Sequence, residues 1–196
     1  WLIVGGIFSA LEPLAFLAMA LFAVYMYRKG EKSHPNKIAL FWTIGASIVS
    51  FVGAGLLGFA HTLPQTNLYT HGTLVTAMHG HYAFWGAYAM IVLAIISYAL
   101  PNLTGRKRYN NTSGHMAFWL SNVGMLGMTV AFGVAGVAQV YLERKMKLDF
   151  MDVQNEIAIH FVVLLLCATL FTTGITLFII EFIKYGKPTD EALIKE

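Results

Sequence analysis

Apolar residues fall in five long runs, at approximately 1–27, 38–60, 72–100, 115–142 and 157–183. Each is at least as long as the roughly 20 helical residues needed to cross a hydrocarbon core. None alternates with the period of two expected of a barrel strand, and all are far longer than a strand. The pattern therefore predicts an all-α, polytopic transmembrane helix bundle over 1–185, followed by a polar cytoplasmic tail at 186–196. Breakers punctuate the gaps: Gly30 and Pro35, then Pro64, then Pro101 and Gly105. No internal repeat is evident. The chain opens on Trp1 within an apolar run, without a methionine or a basic leader. That start is expected of a stretch from inside a longer bundle.

Composition agrees with lipid as the main solvent. Hydrophobic residues make up 57% of the 196 positions and charged ones only 12%, against about a quarter charged in soluble domains. The net charge of +3 is no nucleic-acid signal, because every Lys and Arg lies between or beyond the apolar runs, or at their edges. Those positions give an orientation instead. Arg28, Lys29, Lys32, Lys37, Arg106, Lys107, Arg108, Lys184, Lys187 and Lys195 fall on one side, and only Arg144, Lys145 and Lys147 on the other. The positive-inside rule then puts the C-terminus in the cytoplasm and the 61–71 loop outside. The single Cys167 lies inside an apolar run, which leaves no disulfide framework and no cysteine-based metal site.

The third run carries His79 and His81. Two residues along an α-helix is roughly 200° of rotation, so the two imidazoles point to nearly opposite flanks and do not share one ion. An opposed pair suits two flat cofactors, one on each flank, with Gly80 removing a side chain where they come close. Neutral imidazole is a common axial ligand of heme iron. The competing reading is a pair of core histidines hydrogen-bonded to neighbouring helices; desolvation weakens it for two such groups in one apolar helix. By the orientation above, both lie in the outer half of the membrane.

The surrounding residues carry a family resemblance. Thr70-His71-Gly72-Thr73, followed by His79-Gly80-His81-Tyr82-Ala83-Phe84-Trp85-Gly86-Ala87-Tyr88-Ala89-Met90, closely resembles the catalytic subunit of nitric oxide reductases, in the heme–copper oxidase superfamily. The run from Ala83 to Met90 is most similar to the cytochrome-c-dependent branch. Gly5-Gly6-Ile7-Phe8-Ser9-Ala10-Leu11-Glu12-Pro13-Leu14 and His61-Thr62-Leu63 match as well, and the similarity spans roughly residues 1–140. The resemblance implies the last five helices of a twelve-helix fold in a bacterial inner membrane. It implies His79 as the proximal ligand of high-spin heme b3 and His81 as one of two axial ligands of low-spin heme b. The mate of His81 and the ligands of the non-heme iron would lie on earlier helices, which are the first implied partner. A membrane-anchored cytochrome c subunit would supply electrons for the reduction of two NO to N2O and water.

Other polar residues acquire roles in the same way. Glu12 sits in the first run among apolar neighbours, where a carboxyl is costly unless paired or hydrated. Pro13 follows it and is expected to kink the helix, and Ser9, three residues earlier, shares its face. The resemblance puts Glu12 near the non-heme iron and in proton delivery, with Ser9 and Thr62 on the proton path. It also implies that His71, and more loosely Asn67, bind the cofactor through heme propionates; ordinary loop hydrogen bonding is the alternative for each, as it is for His61. His34 is expected to be solvated, His115 interfacial and His160 structural. Tyr25, Tyr27, Trp42, Tyr98, Trp119 and Tyr141 are expected as interfacial anchors. Gly45, Gly53, Gly55 and Gly58 are expected to let helices approach closely, and Met125 and Met128 to fill gaps. Three rival functions share the opposed pair or the apolar pattern: an oxygen-reducing heme–copper oxidase, a quinol-fed reductase, and a non-catalytic diheme cytochrome b. A purely structural membrane bundle is a further alternative.

Overall fold

A computed structural model describes residues 2–30, 36–105 and 110–185. In chain order its helices are α1 (Ile3–Lys29), α2 (Lys37–Thr62), the short α3 (Pro64–Thr70), α4 (Leu74–Leu103), α5 (Asn111–Lys145), the short α6 (Phe150–Glu156) and α7 (Ala158–Lys184). No strand occurs among the described residues. Five of the helices are long and apolar enough to cross a membrane, as the hydropathy pattern predicts, and the chain is an integral membrane protein. The short helices α3 and α6 replace what the sequence suggests are plain loops. Trp1, Lys32, His34, Pro35, Arg106, Lys107, Arg108, Lys187, Lys195 and the 186–196 tail lie outside the described residues.

Lipid tails are as apolar as leucine, so hydrophobic burial alone does not drive one membrane helix onto another; close packing and hydrogen bonds do. Glycines supply the close packing. A Cβ added at Gly86 of α4 would lie 2.6 Å from the backbone nitrogen of Ser50 on α2, and one at Gly53 would lie 2.8 Å from the backbone of Tyr82 and Ala83. Helices α5 and α7 meet in the same way, with Gly174 against Ser121 and Ala117. The result is α4 lying between α2 and α5, α7 running along α5, and α1 leaning on α2.

The interior between these contacts is aromatic. Trp42 is fully buried and meets Trp85, Phe118 and Phe178 edge-on, at ring-centroid distances of 6.1, 5.1 and 5.8 Å. Trp42 is therefore not the interfacial anchor expected of a tryptophan near a segment end. Its face of α2 points at three neighbouring helices, and packing outweighs the preference for the headgroup region. Tyr25, Tyr27, Tyr98, Trp119 and Tyr141 are all exposed, which suits anchoring.

Two prolines shape the helices that frame the site. Pro101, expected between two runs, lies inside the last turns of α4. Having no N–H, it cannot bond the carbonyl four residues back; that carbonyl, of Ser97, accepts from Asn36 Nδ2 instead, at 2.7 Å. The broken ladder is thus repaired by the residue that caps α2. Pro13 acts at the other break. Regular helix runs Leu2–Ser9, turns at Ala10 and Leu11, and resumes Glu12–Lys29.

The packing has a direct test. Gly86→Ala, whose Cβ meets backbone, is expected to destabilise the folded protein by about 1–3 kcal/mol, measured by loss of helical signal against temperature in detergent. Gly5→Ala, where an added Cβ meets nothing within 4 Å, is expected to leave the transition unmoved. Equal behaviour of the two variants would rule out glycine-mediated contact between α2 and α4.

Candidate functional site

Both histidines of α4 have one ring nitrogen tied to a backbone carbonyl. His79 Nδ1 donates to Gly53 O at 2.9 Å, across to α2. His81 Nδ1 donates to Ala77 O at 2.8 Å, within α4 itself. In each ring Nε2 then carries the lone pair, and a carbonyl behind Nδ1 fixes orientation and raises ligand basicity.

The bond to Gly53 depends on an irregularity in α2. Residues Phe51–Leu56 form a π-helical turn, and the Leu57 N–H reaches Val52 O. In a regular α-helix the same N–H would bond Gly53 O. The extra residue in the turn releases that carbonyl, and His79 takes it. Such single π-turns recur at functional positions. A second one, Trp85–Ala89, follows the histidine pair on α4.

The two imidazoles occupy different surroundings, as their spacing predicts. His79 is half-buried against α1 and α2. A Cβ added at Gly58 would come 3.3 Å from His79 Cε1, and it would lie 3.9 Å from both His79 Nε2 and Glu12 Oε2. Those two atoms are therefore separated by no more than twice that distance. The His61 ring lies 5.2 Å from the His79 ring. His61 is itself engaged at both nitrogens, with Val75 O at 3.2 Å and the Thr70 hydroxyl at 3.3 Å.

His81 faces the other way. It is exposed, 4.9 Å from the Phe132 ring of α5, and it opens on a groove of about 860 Å3. Phe84, Trp85 and Tyr88 of α4, with Met125 of α5 and Phe171 of α7, form the apolar walls. Trp85 is fixed there by donating Nε1 to Asn122 Oδ1 at 3.1 Å. At Gly80, between the histidines, an added Cβ would meet nothing within 4 Å. An imidazole nitrogen lining a large, apolar groove with aromatic walls suits the ligand of a planar metal macrocycle. The His79 flank offers the same donor beside a carboxyl. Among the described residues, no group of three or more His, Cys, Asp or Glu is placed to hold a single metal ion.

The remaining predicted residues are distributed as follows. Ser9 closes the first part of α1 and Glu12 opens the second, with Leu11 between them still in helical conformation. Thr62 donates its hydroxyl to Phe59 O at 2.8 Å, and Asn67 donates Nδ2 to His61 O at 3.0 Å. His71 is exposed just beyond α3, its backbone N–H bonded to Asn67 O. His115 sits edge-on to Phe41, and His160 Nδ1 meets Ile157 O at the start of α7. Sequence reasoning missed the Gly53 carbonyl, because a glycine there reads only as a packing residue. It also missed Gln139, which is buried, accepts from Leu74 N–H at 2.9 Å and donates to Glu143 at 2.8 Å, capping the start of α4.

Comparison with known proteins gives the family. The model of the family described as "Cytochrome C and Quinol oxidase polypeptide I" matches residues 1–170, farther than the roughly 140 residues over which the motifs are evident. The chain is also 42% identical over 195 residues to a nitric oxide reductase subunit of Stutzerimonas stutzeri. That match covers 95% of this chain and 41% of the relative, so the chain spans well under half the length of that protein.

The carbonyl anchors predict a ring tautomer. In the assembled protein, 15N spectra of the histidine rings are expected to place the proton of His79 and of His81 on Nδ1. A proton on Nε2 of either ring would contradict the arrangement.

Proposed function

The chain belongs to the cytochrome c and quinol oxidase polypeptide I family, and within it we propose that this is part of the catalytic subunit of a nitric oxide reductase, joining two NO and reducing them to N2O and water. One observation carries the reading: two imidazoles on opposite flanks of one helix, each with Nδ1 held by a carbonyl and Nε2 free. His79 would hold heme b3, and His81 would be one of two axial ligands of heme b. A non-heme iron would stand beside heme b3, held by residues on helices outside this chain. When bound, these groups supply the redox chemistry and the site where NO is reduced.

The residues of this chain position and protonate. The Gly53 carbonyl holds the His79 proton at Nδ1 and so fixes the plane of the ring. Gly58 lacks a side chain where a Cβ would approach both His79 and Glu12. Glu12 would hold and pass on the protons consumed, with Ser9 and Thr62 on the route from the outer side. Asn67 and His71 lie at the outer end of the histidine helix, where heme propionates would be met. Helix α4 ties the two flanks together, so the separation of the two cofactors is set by one rigid element.

The distribution of basic residues supports a cytoplasmic C-terminus in a bacterial inner membrane, with the histidines in the outer half. The partners would be the other helices of the same subunit, the lipid bilayer, and a membrane-anchored cytochrome c subunit as electron donor. The reductase reading is preferred to an oxygen-reducing oxidase because of the Glu12-Pro13 step, Glu12 beside His79, and the reductase name of the 42% identical relative.

Two measurements test this on the intact complex. Metal and heme analysis is expected to give two b hemes and one non-heme iron; copper in place of that iron would support the oxidase. Glu12→Gln is expected to slow NO turnover about a hundredfold while heme absorbance is unchanged, and full activity in that variant would remove Glu12 from proton delivery.

A further inference from the structure

A second groove, of about 610 Å3, runs between the start of α2 and the start of α5, and Tyr27 of α1 also lines it. On α2 its wall is Lys37, Phe41, Ile44 and Ile48, whose spacing puts them on one helix face. On α5 it is His115 and Trp119. The Phe41 and His115 rings stand edge-on, 4.6 Å apart. The walls meet at Gly45, where an added Cβ would lie 2.8 Å from the Phe118 ring. None of these residues takes part in the histidine site.

The chemistry of the groove changes along its length. Its polar groups stand at one end: Lys37 opens α2, Tyr27 lies in the last turn of α1, and His115 lies near the start of α5. Arg28, Lys29 and Lys184 are at the same end of the bundle. Among the described residues the one carboxyl at that end is Glu181, which is buried. The remainder of the groove is apolar, yet Phe41, Ile48 and Trp119 keep 36, 51 and 56% of their surface exposed. At the helical rise, Lys37 and Ile48 are about 16 Å apart. Ile48 stands just short of the midpoint of α2, which spans Lys37–Thr62. The groove thus reaches from the membrane surface to mid-span, the depth of one leaflet, which is half of a hydrocarbon core of about 30 Å.

We propose that this groove binds an anionic phospholipid from the leaflet at the basic end, with the phosphate beside Lys37 and one acyl chain along Phe41, Ile44, Ile48 and Trp119. Length selects a lipid over a neighbouring membrane helix. A helix that crosses the bilayer would need a seat along the whole of α2, and this one stops halfway. Charge selects the headgroup. A cation at the surface end, without an acidic partner among the described residues, attracts a lipid of net negative charge. The cation carried by a zwitterionic headgroup cancels that attraction. Tyr27 and Trp119 are amphipathic rings of the kind that settle at headgroup level.

Native mass spectrometry of the intact complex tests this. The complex is delipidated in detergent and titrated with phosphatidylglycerol or with phosphatidylcholine of the same acyl chains. The wild type is expected to hold one phosphatidylglycerol about fivefold more tightly than phosphatidylcholine, the preference that one lysine near the surface confers. Lys37→Gln is expected to abolish that preference. Lys184→Gln, at the same end but outside the groove, is expected to keep it. Ile48→Trp, which fills the apolar end from an exposed position, is expected to lower phosphatidylglycerol retention severalfold, with the absorbance spectrum showing that the complex has assembled. Equal retention of the two lipids by the wild type, or equal losses in Lys37→Gln and Lys184→Gln, would overturn the proposal. So would lipid retention that neither Lys37→Gln nor Ile48→Trp alters, the result expected if another helix of the subunit covers the groove.

Discussion

The hydrogen bond from His79 Nδ1 to the Gly53 carbonyl holds the candidate site in register. It needs three conditions at once. Helix α2 must spend a residue on a π-turn, so that Leu57 bonds Val52 and leaves Gly53 O available. Gly53 must lack a side chain, because a Cβ there would strike the backbone of Tyr82 and Ala83. Helix α4 must lie close enough for an imidazole to span the gap, which Gly86 against Ser50 secures two turns away. Backbone irregularity, helix packing and ligand orientation are thus one constraint seen at three scales.

The same economy governs the other polar groups. A membrane interior leaves no water to satisfy a stray carbonyl, so each disruption of a helix is answered locally. Asn36 repairs the carbonyl that Pro101 leaves open, and Gln139 caps the N–H of Leu74 at the opposite end of α4. The histidine helix is consequently pinned at both ends by side-chain amides from neighbouring helices. A helix so held is suited to fix the distance between two cofactors, which the proposed electron transfer from heme b to heme b3 requires.

Much of this was legible in the chain. Five apolar runs predict five membrane-spanning helices, and the two-residue spacing of His79 and His81 predicts opposed environments, found as α1 and α2 on one side and α5 and α7 on the other. Properties that depend on which face a helix presents were less legible. Trp42 has the sequence position of an interfacial anchor and the contacts of a core residue. The π-turn at Phe51–Leu56 leaves no trace in the apolar pattern, since Gly53 and Gly55 suit close packing equally well. Glu181 lies so near the basic end of α7 that the sequence gives no sign of its burial. The break in regular helix between Ser9 and Glu12 is announced by Pro13.

If His79 and His81 serve two different cofactors from one helix, removing either imidazole must cost a different heme. Heme content and carbon monoxide binding, measured in full-length complexes carrying His79→Ala or His81→Ala, read this out. The expected losses are complementary: His79→Ala removes the carbon-monoxide-binding heme and spares the low-spin one, and His81→Ala does the reverse. Loss of the same heme in both variants, or retention of both hemes in either, would contradict the two-flank arrangement.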